Sequence, residues 1–244
     1  MFGQTFYFST IRKYVTLFGT LFDDIHITRT DSANNTTMFM KVPITYAPKE
    51  KMLARVQQDP GIDRPTATIT LPMMSFETTD FRYDGDRKLT TVGRTSVSLP
   101  NDTAKMFYQY NPVPYDFDFS LYLYVRNIED ATQVLEHILP FFTPDYTMKL
   151  NLIPEMGVVK EVPVIFKDAD HEIIYEGDRN QETRMIIWTL RFTVKGFIFG
   201  KTSTAKEIRT SITNILNNIT SADIVQFNMA QPGIGNYQVG EIVY

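Results

Sequence analysis

A run of alternating side chains between Arg184 and Phe199 limits what this chain can fold into more than any other feature. Apolar residues at every second position oppose mostly polar ones, which is the period of a β-strand with two unlike faces. The first set is Ile186, Trp188, Leu190, Phe192 and Val194, and the second is Ile187, Thr189, Arg191, Thr193 and Lys195. The pattern predicts a long strand with Trp188 on its core face.

The same period recurs along the chain and predicts further strands. These are Thr66–Met73, with extended character continuing to Tyr83, then Phe117–Val125, Thr147–Ile153 and Glu161–Lys167. Residues 38–46 also alternate and predict a strand with one buried face. Because Pro43 cannot donate a ladder hydrogen bond, this strand is expected at a sheet edge, or Pro43 at a bulge.

Apolar residues at helical spacing predict four helices. The first spans Ser9–Phe22 with Ser9 or Thr10 as its cap, the second runs from Pro48 through Gln58, and the third follows a cap at Asn127. Thr204–Glu207 fits a capping box before a fourth helix. The predicted fold class is therefore α+β, a mixed and mainly antiparallel β-sheet with flanking helices, long strands and hairpins.

Turn and loop signals complete the organisation. Asp84-Gly85-Asp86 predicts a tight turn, and the Ser/Thr-rich segment Thr90–Asn101 predicts a protruding hairpin or a loop. After Thr220 the chain is rich in Asn, Gln and Gly, and its remaining apolar residues indicate an extended C-terminal arm that orders against a neighbour. We predict one domain over residues 1–200, followed by a C-terminal helix and arm over residues 201–244.

Composition excludes several classes of protein. A hydrophobic share of 43% supports a sizeable core, and the absence of cysteine removes disulfides, thiolate metal sites and a cysteine nucleophile. A net charge of −4 without Lys/Arg runs argues against a protein that binds nucleic acid through its phosphates.

No stretch approaches the roughly 20 apolar residues that cross a bilayer, and the first residues do not resemble a signal peptide. We expect no membrane partner, and a protein made and used in a cytoplasm.

Two acidic clusters are the best candidates for catalysis. Asp168–Glu172 contains three carboxylates and His171, with Asp168 and Asp170 on one side if the alternation continues, and could bind a divalent cation. A solvated polar turn after a strand is the favoured interpretation, since such turns are far commoner than metal sites. The second cluster combines Asp80, Asp84 and Asp86 with Arg82, Arg87 and Lys88, and an Asp-Gly hairpin explains the same residues. His137 is expected to be a surface histidine.

Several tyrosines are predicted on outward strand faces, where they either cover a helix of the same chain or meet a partner. They are Tyr108, Tyr110, Tyr115, Tyr122 and Tyr124. The sequence leaves these two outcomes equally open. Long strands with edge prolines and an apolar arm together indicate a subunit of an assembly.

Several short motifs follow one another in a distinctive order. They are Met1-Phe2-Gly3, Arg12-Lys13-Tyr14, Leu17-Phe18-Gly19, residues 42–47 with Lys49-Glu50, Thr70-Leu71-Pro72, Asp80-Phe81 with Tyr83, Gln109–Pro114, Ile138–Phe142 with Pro144, and Trp188-Thr189-Leu190 before Val194 and Gly196. Their order resembles that of the tail sheath stabiliser and completion proteins of T4-like contractile-tailed bacteriophages. The resemblance covers roughly residues 1–200. The tail after Thr202 departs from the family pattern.

The resemblance implies a structural virion protein, not an enzyme, with no catalytic, cofactor-binding or metal-binding residues to carry over. It implies a homohexameric ring at the tail–neck junction that ends growth of the tail tube and sheath. The implied partners are the tail sheath protein, the tail tube or tube terminator protein, and the neck or head-completion proteins. DNA is expected to pass through the lumen without specific binding, since an acidic lining does not bind phosphate. An inner-tube terminator, a neck connector and, in another class, a metal-dependent nuclease using Asp168–Glu172 remain alternatives.

Overall fold

The structure is a computed structural model, and it describes residues 5–30, 36–57, 71–99, 102–176 and 183–206. The chain divides into two compact units, one formed by residues 1–93 and 111–200 and the other by residues 94–110 and 201–244. Strands predominate and helices flank them, so the predicted α+β class is confirmed. None of the described helices is long and apolar enough to span a membrane.

The first unit contains the helices and the main sheet. Its elements are α1 (Thr10–Leu21), β1 (His26–Thr30), β2 (Thr36–Lys41), β3 (Ile44–Tyr46), α2 (Lys49–Gln57) and β4 (Met73–Tyr83). The second unit then contributes β5 (Arg94–Leu99) and β6 (Asp102–Tyr110). The first unit resumes with β7 (Val113–Val125), α3 (Ile128–Ile138), β8 (Asp145–Ile153), β9 (Val158–Glu176) and β10 (Thr183–Ile198), and β11 (Ser203–Lys206) belongs to the second unit.

The main sheet has six strands in the order β3-β4-β7-β10-β9-β8. Only β3 and β4 run parallel, and the other neighbours are antiparallel, as the sequence predicts. The strand predicted most clearly is β10, which pairs with β7 from Ile186 opposite Val125 to Ile198 opposite Val113. Alternation along these two central strands gives the sheet one apolar face and one largely polar face.

Helix α1 packs on the apolar face through a cluster of aromatic rings. Phe18 stacks on Phe119 with centroids 4.5 Å apart, and Phe22 contacts Phe192 at 5.3 Å. The α1 stripe predicted from the sequence is therefore confirmed at Phe18 and Phe22, which are buried. The helix begins at Thr10 after Ser9, whose side chain forms no capping hydrogen bond.

Tyr14 connects α1 to β10 next to Gly196, a position on the strand that has no room for a larger side chain. Its hydroxyl donates to the Phe197 carbonyl at 3.0 Å and accepts from the Phe197 amide at 2.8 Å. Burial raises the pKa of Tyr14 to about 12. A Cβ atom on Gly196 would lie 2.5 Å from Phe117 Cε2 and 2.7 Å from Tyr14 Cζ, so the side-chain-free backbone lets the two rings reach the strand.

Helix α2 packs on the other face, over the sheet end that carries two of the predicted tyrosines. Tyr122 and Tyr124 are buried in a cluster with Met52 of α2. The Tyr122 hydroxyl donates to Glu77 at 2.7 Å, and the Tyr124 hydroxyl lies 3.2 Å from Ser75 Oγ. These two tyrosines therefore pack against a helix of their own chain, which is one of the two outcomes that the sequence left open.

The second unit contains a three-stranded antiparallel sheet in the order β11-β6-β5. Strands β5 and β6 form a hairpin, so a hairpin rather than a loop follows Thr90. Tyr110 of β6 is about half exposed and its ring lies 6.0 Å from that of Tyr108. The predicted division at residue 200 stays a prediction, because most of residues 201–244 lies outside the described part of the chain.

Several sequence predictions need correction. The prediction of a capping box at Thr204 is wrong, because Ser203–Lys206 form β11 and pair with β6. The fourth predicted helix and the predicted C-terminal arm lie outside the described residues. The expected edge position is confirmed for β3, but the strand predicted over residues 38–46 is interrupted at Pro43, which separates β2 from β3. Of the face predicted to be buried, Val42 is buried whereas Met38 and Tyr46 are exposed. Asn127 is the N-cap residue of α3, as predicted, but its side chain forms no capping hydrogen bond.

Another correction concerns the predicted core position of Trp188. Its indole is only partly buried, and it stacks on exposed His171 with centroids 4.8 Å apart. Indole Nε1 is buried without a hydrogen-bond partner among the described residues. Trp188 therefore lies at the margin of the apolar face.

Candidate interaction surfaces

The predicted metal cluster at Asp168–Glu172 lies inside a strand and is divided between its two faces. The favoured prediction of a polar turn is wrong, because β9 continues through these residues to Glu176. Asp168, Asp170 and Glu172 lie opposite Arg191, Thr189 and Ile187 of β10, so they share one face, as the alternation predicts. His171 lies on the other face beside Trp188.

The carboxylates of this cluster bind cations of the same chain or backbone amides. Asp168 pairs with Arg191 at 2.7 Å, Glu172 pairs with Lys49 at 2.7 Å, and Asp170 accepts from the His171 amide at 2.8 Å. Within the described residues, no group of three or more acidic, histidine or cysteine side chains could hold a metal ion. These contacts hold the carboxylates along one face of β9.

The second predicted cluster is likewise dispersed. The turn at Gly85 is confirmed by a hydrogen bond from the Lys88 amide to the Gly85 carbonyl at 3.2 Å, although β4 and β5 do not pair as a hairpin. Asp80 accepts from the Phe81 amide, while Asp84 accepts from the Asp86 amide and pairs with Arg87. These contacts assign the aspartates to turn and strand geometry.

Asp84, Asp116 and Asp118 form the centre of a charged surface on the open face of the sheet. Arg87 bridges the first two, at 2.6 Å to Asp84 and 2.8 Å to Asp116. The hydrogen bond from Arg87 lowers the pKa of Asp84 to about 2. Lys195 approaches Asp84 at 3.4 Å from β10, which ties the β4 turn to the centre of the sheet.

The Asp118 carboxylate accepts hydrogen bonds from side chains on three different strands. Arg82 of β4 and Lys167 of β9 each lie 3.0 Å from its carboxylate, and Thr193 of β10 donates to it. Burial alone would raise the pKa of Asp118, but these hydrogen bonds and the charges of Lys167 and Arg82 lower it below its usual value. This carboxylate therefore acts as a cross-link between neighbouring strands.

A second surface is an apolar groove at the C-terminal end of α1, between the β1–β2 hairpin, α3 and β8. It encloses about 760 Å³. We define the apolar groove by its lining, which is Leu21, Phe22, Asp24, Ile25, His26, Thr28, Phe39, Gln133, Glu136, His137, Ile138, Phe141, Phe142 and Tyr146. Its residues come from widely separated stretches of chain, namely residues 21–28, 39, 133–142 and 146, so no single sequence pattern marks it.

The aromatic rim of the groove is open to solvent. Phe39 is 67% exposed and stacks on His26 at 4.7 Å, while Phe141 is 64% exposed. Phe22 and Phe142 form the floor with ring centroids 6.3 Å apart. As predicted, His137 lies at the surface, where it contributes to the rim. Exposed aromatic rings around a concavity are typical of an interaction site.

Comparison with known proteins identifies the kind of chain that carries these surfaces. A sequence model of the T4-like virus Myoviridae tail sheath stabiliser family matches residues 5–238. The chain is also 30% identical over 225 residues to the tail completion protein gp15 of Enterobacteria phage T4, with 89% of this chain and 80% of the relative covered. The chain belongs to the T4-like tail sheath stabiliser family, and it is a structural component of the virion tail.

The extent of this match corrects one expectation. The resemblance found by inspection covered roughly residues 1–200, and the tail after Thr202 was expected to depart from the family pattern. The family match continues to residue 238, so most of the C-terminal segment belongs to it as well. The aromatic and proline residues of this segment are widely spaced among Asn, Gln and Gly, so they form none of the short motifs that carry the resemblance elsewhere.

Proposed function

We propose that this protein assembles as a homohexameric ring that caps the tail tube and contractile sheath and joins the tail to the neck of the head. The observation that carries the proposal is the family match over residues 5–238, since the family's members stabilise the tail sheath. The relative from phage T4 is a tail completion protein, which agrees with a position at the end of the finished tail. The partners in this proposal are the sheath protein, the tube or tube terminator protein, and the neck or head-completion proteins.

The architecture of the first unit supports a subunit role. Its sheet ends in strand β3 on one side and strand β8 on the other, and edge strands present backbone groups that can pair with another chain. Large apolar side chains also stay exposed at Phe39, Phe141 and Tyr46. A ring needs heterologous contacts, in which one patch of each copy binds a different patch of the next copy. The rotation from copy to copy must then add up to a full turn.

The described chemistry supports a structural role and no bond-making step. The acidic clusters that could serve a nuclease are engaged in ion pairs and backbone hydrogen bonds. With a net charge of −4, the ring is suited to let DNA pass through its lumen without binding it. Assembly would take place in the host cytoplasm, and the ring would remain in the virion at the tail–neck junction.

Native mass spectrometry of the purified protein, alone and with isolated tail tubes, tests the ring. We expect a closed hexamer, formed in solution or on the tail. A stable monomer that does not assemble on tail tubes would contradict the proposal. Binding to assembled sheath separates a sheath-capping ring from an inner-tube terminator or a neck connector, neither of which requires the sheath.

Two deletions test the extended segments. Removing residues 90–101 or the arm from Ser221 should impair attachment of the sheath or neck and leave the main sheet folded. Circular dichroism provides the folding control, and electron microscopy of virions measures attachment. Normal virion assembly after both deletions would show that neither segment contacts a neighbour.

A further inference from the structure

The segment before α1 exposes aromatic side chains that have few contacts in their own chain. Tyr7 is 79% exposed and Phe6 is 50% exposed, and within the described part of the chain the Phe6 ring packs against that of Phe8, with centroids 5.7 Å apart. We call residues Thr5–Phe8 the aromatic segment. Exposed aromatic rings next to one another cost free energy in water and indicate a surface that is covered in the assembled state.

The aromatic segment and the apolar groove lie at opposite ends of α1. The segment precedes Thr10, where the helix begins, and the groove is lined by Leu21 and Phe22 at its end. A helix of 12 residues is about 18 Å long at 1.5 Å per residue. In the structure the segment therefore lies about one helix length from the groove of its own chain, and two copies arranged head to tail would bring the two surfaces together.

The charges of the two surfaces are complementary. The groove lining contains Asp24 and Glu136 and no lysine or arginine. Asp24 is highly exposed, although it lies 4.0 Å from Lys41 and 3.8 Å from His26. Residues 5–13, Thr-Phe-Tyr-Phe-Ser-Thr-Ile-Arg-Lys, carry two cations and no carboxylate. Arg12 is exposed, and it has no ion pair among the described residues.

We propose that the aromatic segment of one copy inserts Tyr7 into the apolar groove of the neighbouring copy, with Arg12 facing the Asp24 and Glu136 rim. The inference rests on the proposed ring and specifies one of its contacts. Tyrosine suits this place because its ring fills an apolar concavity and its hydroxyl can stay at the wet rim. One such contact is part of a larger interface, since a stable interface buries about 1,200–2,000 Å² in total.

Engineered disulfides test the contact directly, because the chain contains no cysteine that could compete. In the variant Tyr7→Cys/Phe141→Cys we expect covalent oligomers up to the full ring after oxidation, seen on non-reducing denaturing gels. The matched control is Tyr7→Cys/Ile173→Cys, since Ile173 is also exposed but lies on β9, outside the groove lining. A disulfide needs Cα atoms within about 7 Å, so a link over the length of α1 cannot form within one chain.

The outcomes separate the contact from the ring itself. Covalent oligomers from the groove pair and none from the control would support the insertion. A ring detected by native mass spectrometry in which the groove pair does not cross-link, or in which both pairs cross-link equally, would overturn the insertion and leave the ring standing. Failure of the wild-type protein to form a ring alone or on tails would overturn both.

A charge placed in the groove gives an independent measurement. Phe141→Lys should raise the protein concentration at half-assembly about tenfold or more, since it removes an aromatic contact and introduces repulsion toward Arg12. Ile173→Lys serves as the control and should leave assembly unchanged. Thermal unfolding shows whether each variant is folded. Assembly of folded Phe141→Lys at the wild-type concentration would contradict the proposed occupant of the groove.

Discussion

Replacing Gly196 by alanine should destabilise the first unit strongly, although only one methyl group is added. The new Cβ would lie 2.5 Å from Phe117 Cε2 and 2.7 Å from Tyr14 Cζ, closer than real side chains approach. Both rings are fully buried, and two hydrogen bonds to Phe197 hold the Tyr14 hydroxyl in place. Neither ring can move away without disturbing the packing of α1.

The expected cost follows from two contributions. Overpacking a core costs about 1–3 kcal/mol. If the Tyr14 ring shifts, each of its two hydrogen bonds contributes a further loss of roughly 0.5–1.5 kcal/mol. A total of about 2–6 kcal/mol corresponds to a decrease in Tm of roughly 4–24 °C for a domain of this size. Thermal and urea unfolding, followed by circular dichroism, measure the change.

Gly85→Ala is the matched control. A Cβ there would lie 3.7 Å from Tyr83 Cε1, which is an ordinary contact, so stability should change by less than about 0.5 kcal/mol.

A double-mutant cycle also tests the clash between a Cβ on residue 196 and Phe117, since Phe117→Leu removes the ring edge that the new methyl group meets. The cost of Gly196→Ala should then fall by about 1 kcal/mol or more. Wild-type stability of Gly196→Ala, or an equal cost in both backgrounds, would refute this reasoning.

Three further predictions concern polar contacts. The pKa of Asp84 is about 2, below its ordinary value of 3.8, so the ionised carboxylate stabilises the fold fully above about pH 4 and this stabilisation is lost as the pH falls through 2. Asp84→Asn lacks this carboxylate, so its stability should decrease less than that of wild type between pH 4 and pH 2. Acid titrations followed by circular dichroism measure the difference. Tyr14→Phe should cost about 1–3 kcal/mol in urea unfolding, because it removes both hydrogen bonds to buried backbone; no change would show that they contribute nothing. The exposed pair Asp168–Arg191 should show a coupling of at most about 1 kcal/mol in a double-mutant cycle, and a larger value would contradict its assignment as a surface ion pair.

The elements predicted well are those whose local pattern and tertiary environment agree. In β10 the apolar residues alternate because one face meets the rings under α1, and this agreement makes the strand visible from sequence alone. Helix α1 is predicted for the same reason, through the spacing of Tyr14, Phe18 and Phe22 on the sheet. Their burial is a direct consequence of the pattern.

The elements missed are those determined by distant partners. Asp168–Glu172 has the composition of a turn, but its backbone pairs with Ile187–Arg191 of β10, and this pairing continues β9 through to Glu176. Ser203–Lys206 has a helix-start signal, yet pairing with β6 determines its conformation. The apolar groove was missed because its walls come from segments more than 100 residues apart, such as Leu21 and Tyr146.

The uninterrupted pairing of β7 with β10 has a mechanical consequence. Thirteen successive positions of β7 face β10 in one register, and Lys167 and Thr193 reach across to Asp118 of β7 from its side. Tension applied along the strands would load all of these bonds together in shear, whereas tension applied across them would open the pairs one after another. A subunit oriented with β7 parallel to the pulling direction would therefore withstand far larger forces than one oriented across it, and single-molecule stretching along the two directions can measure that anisotropy.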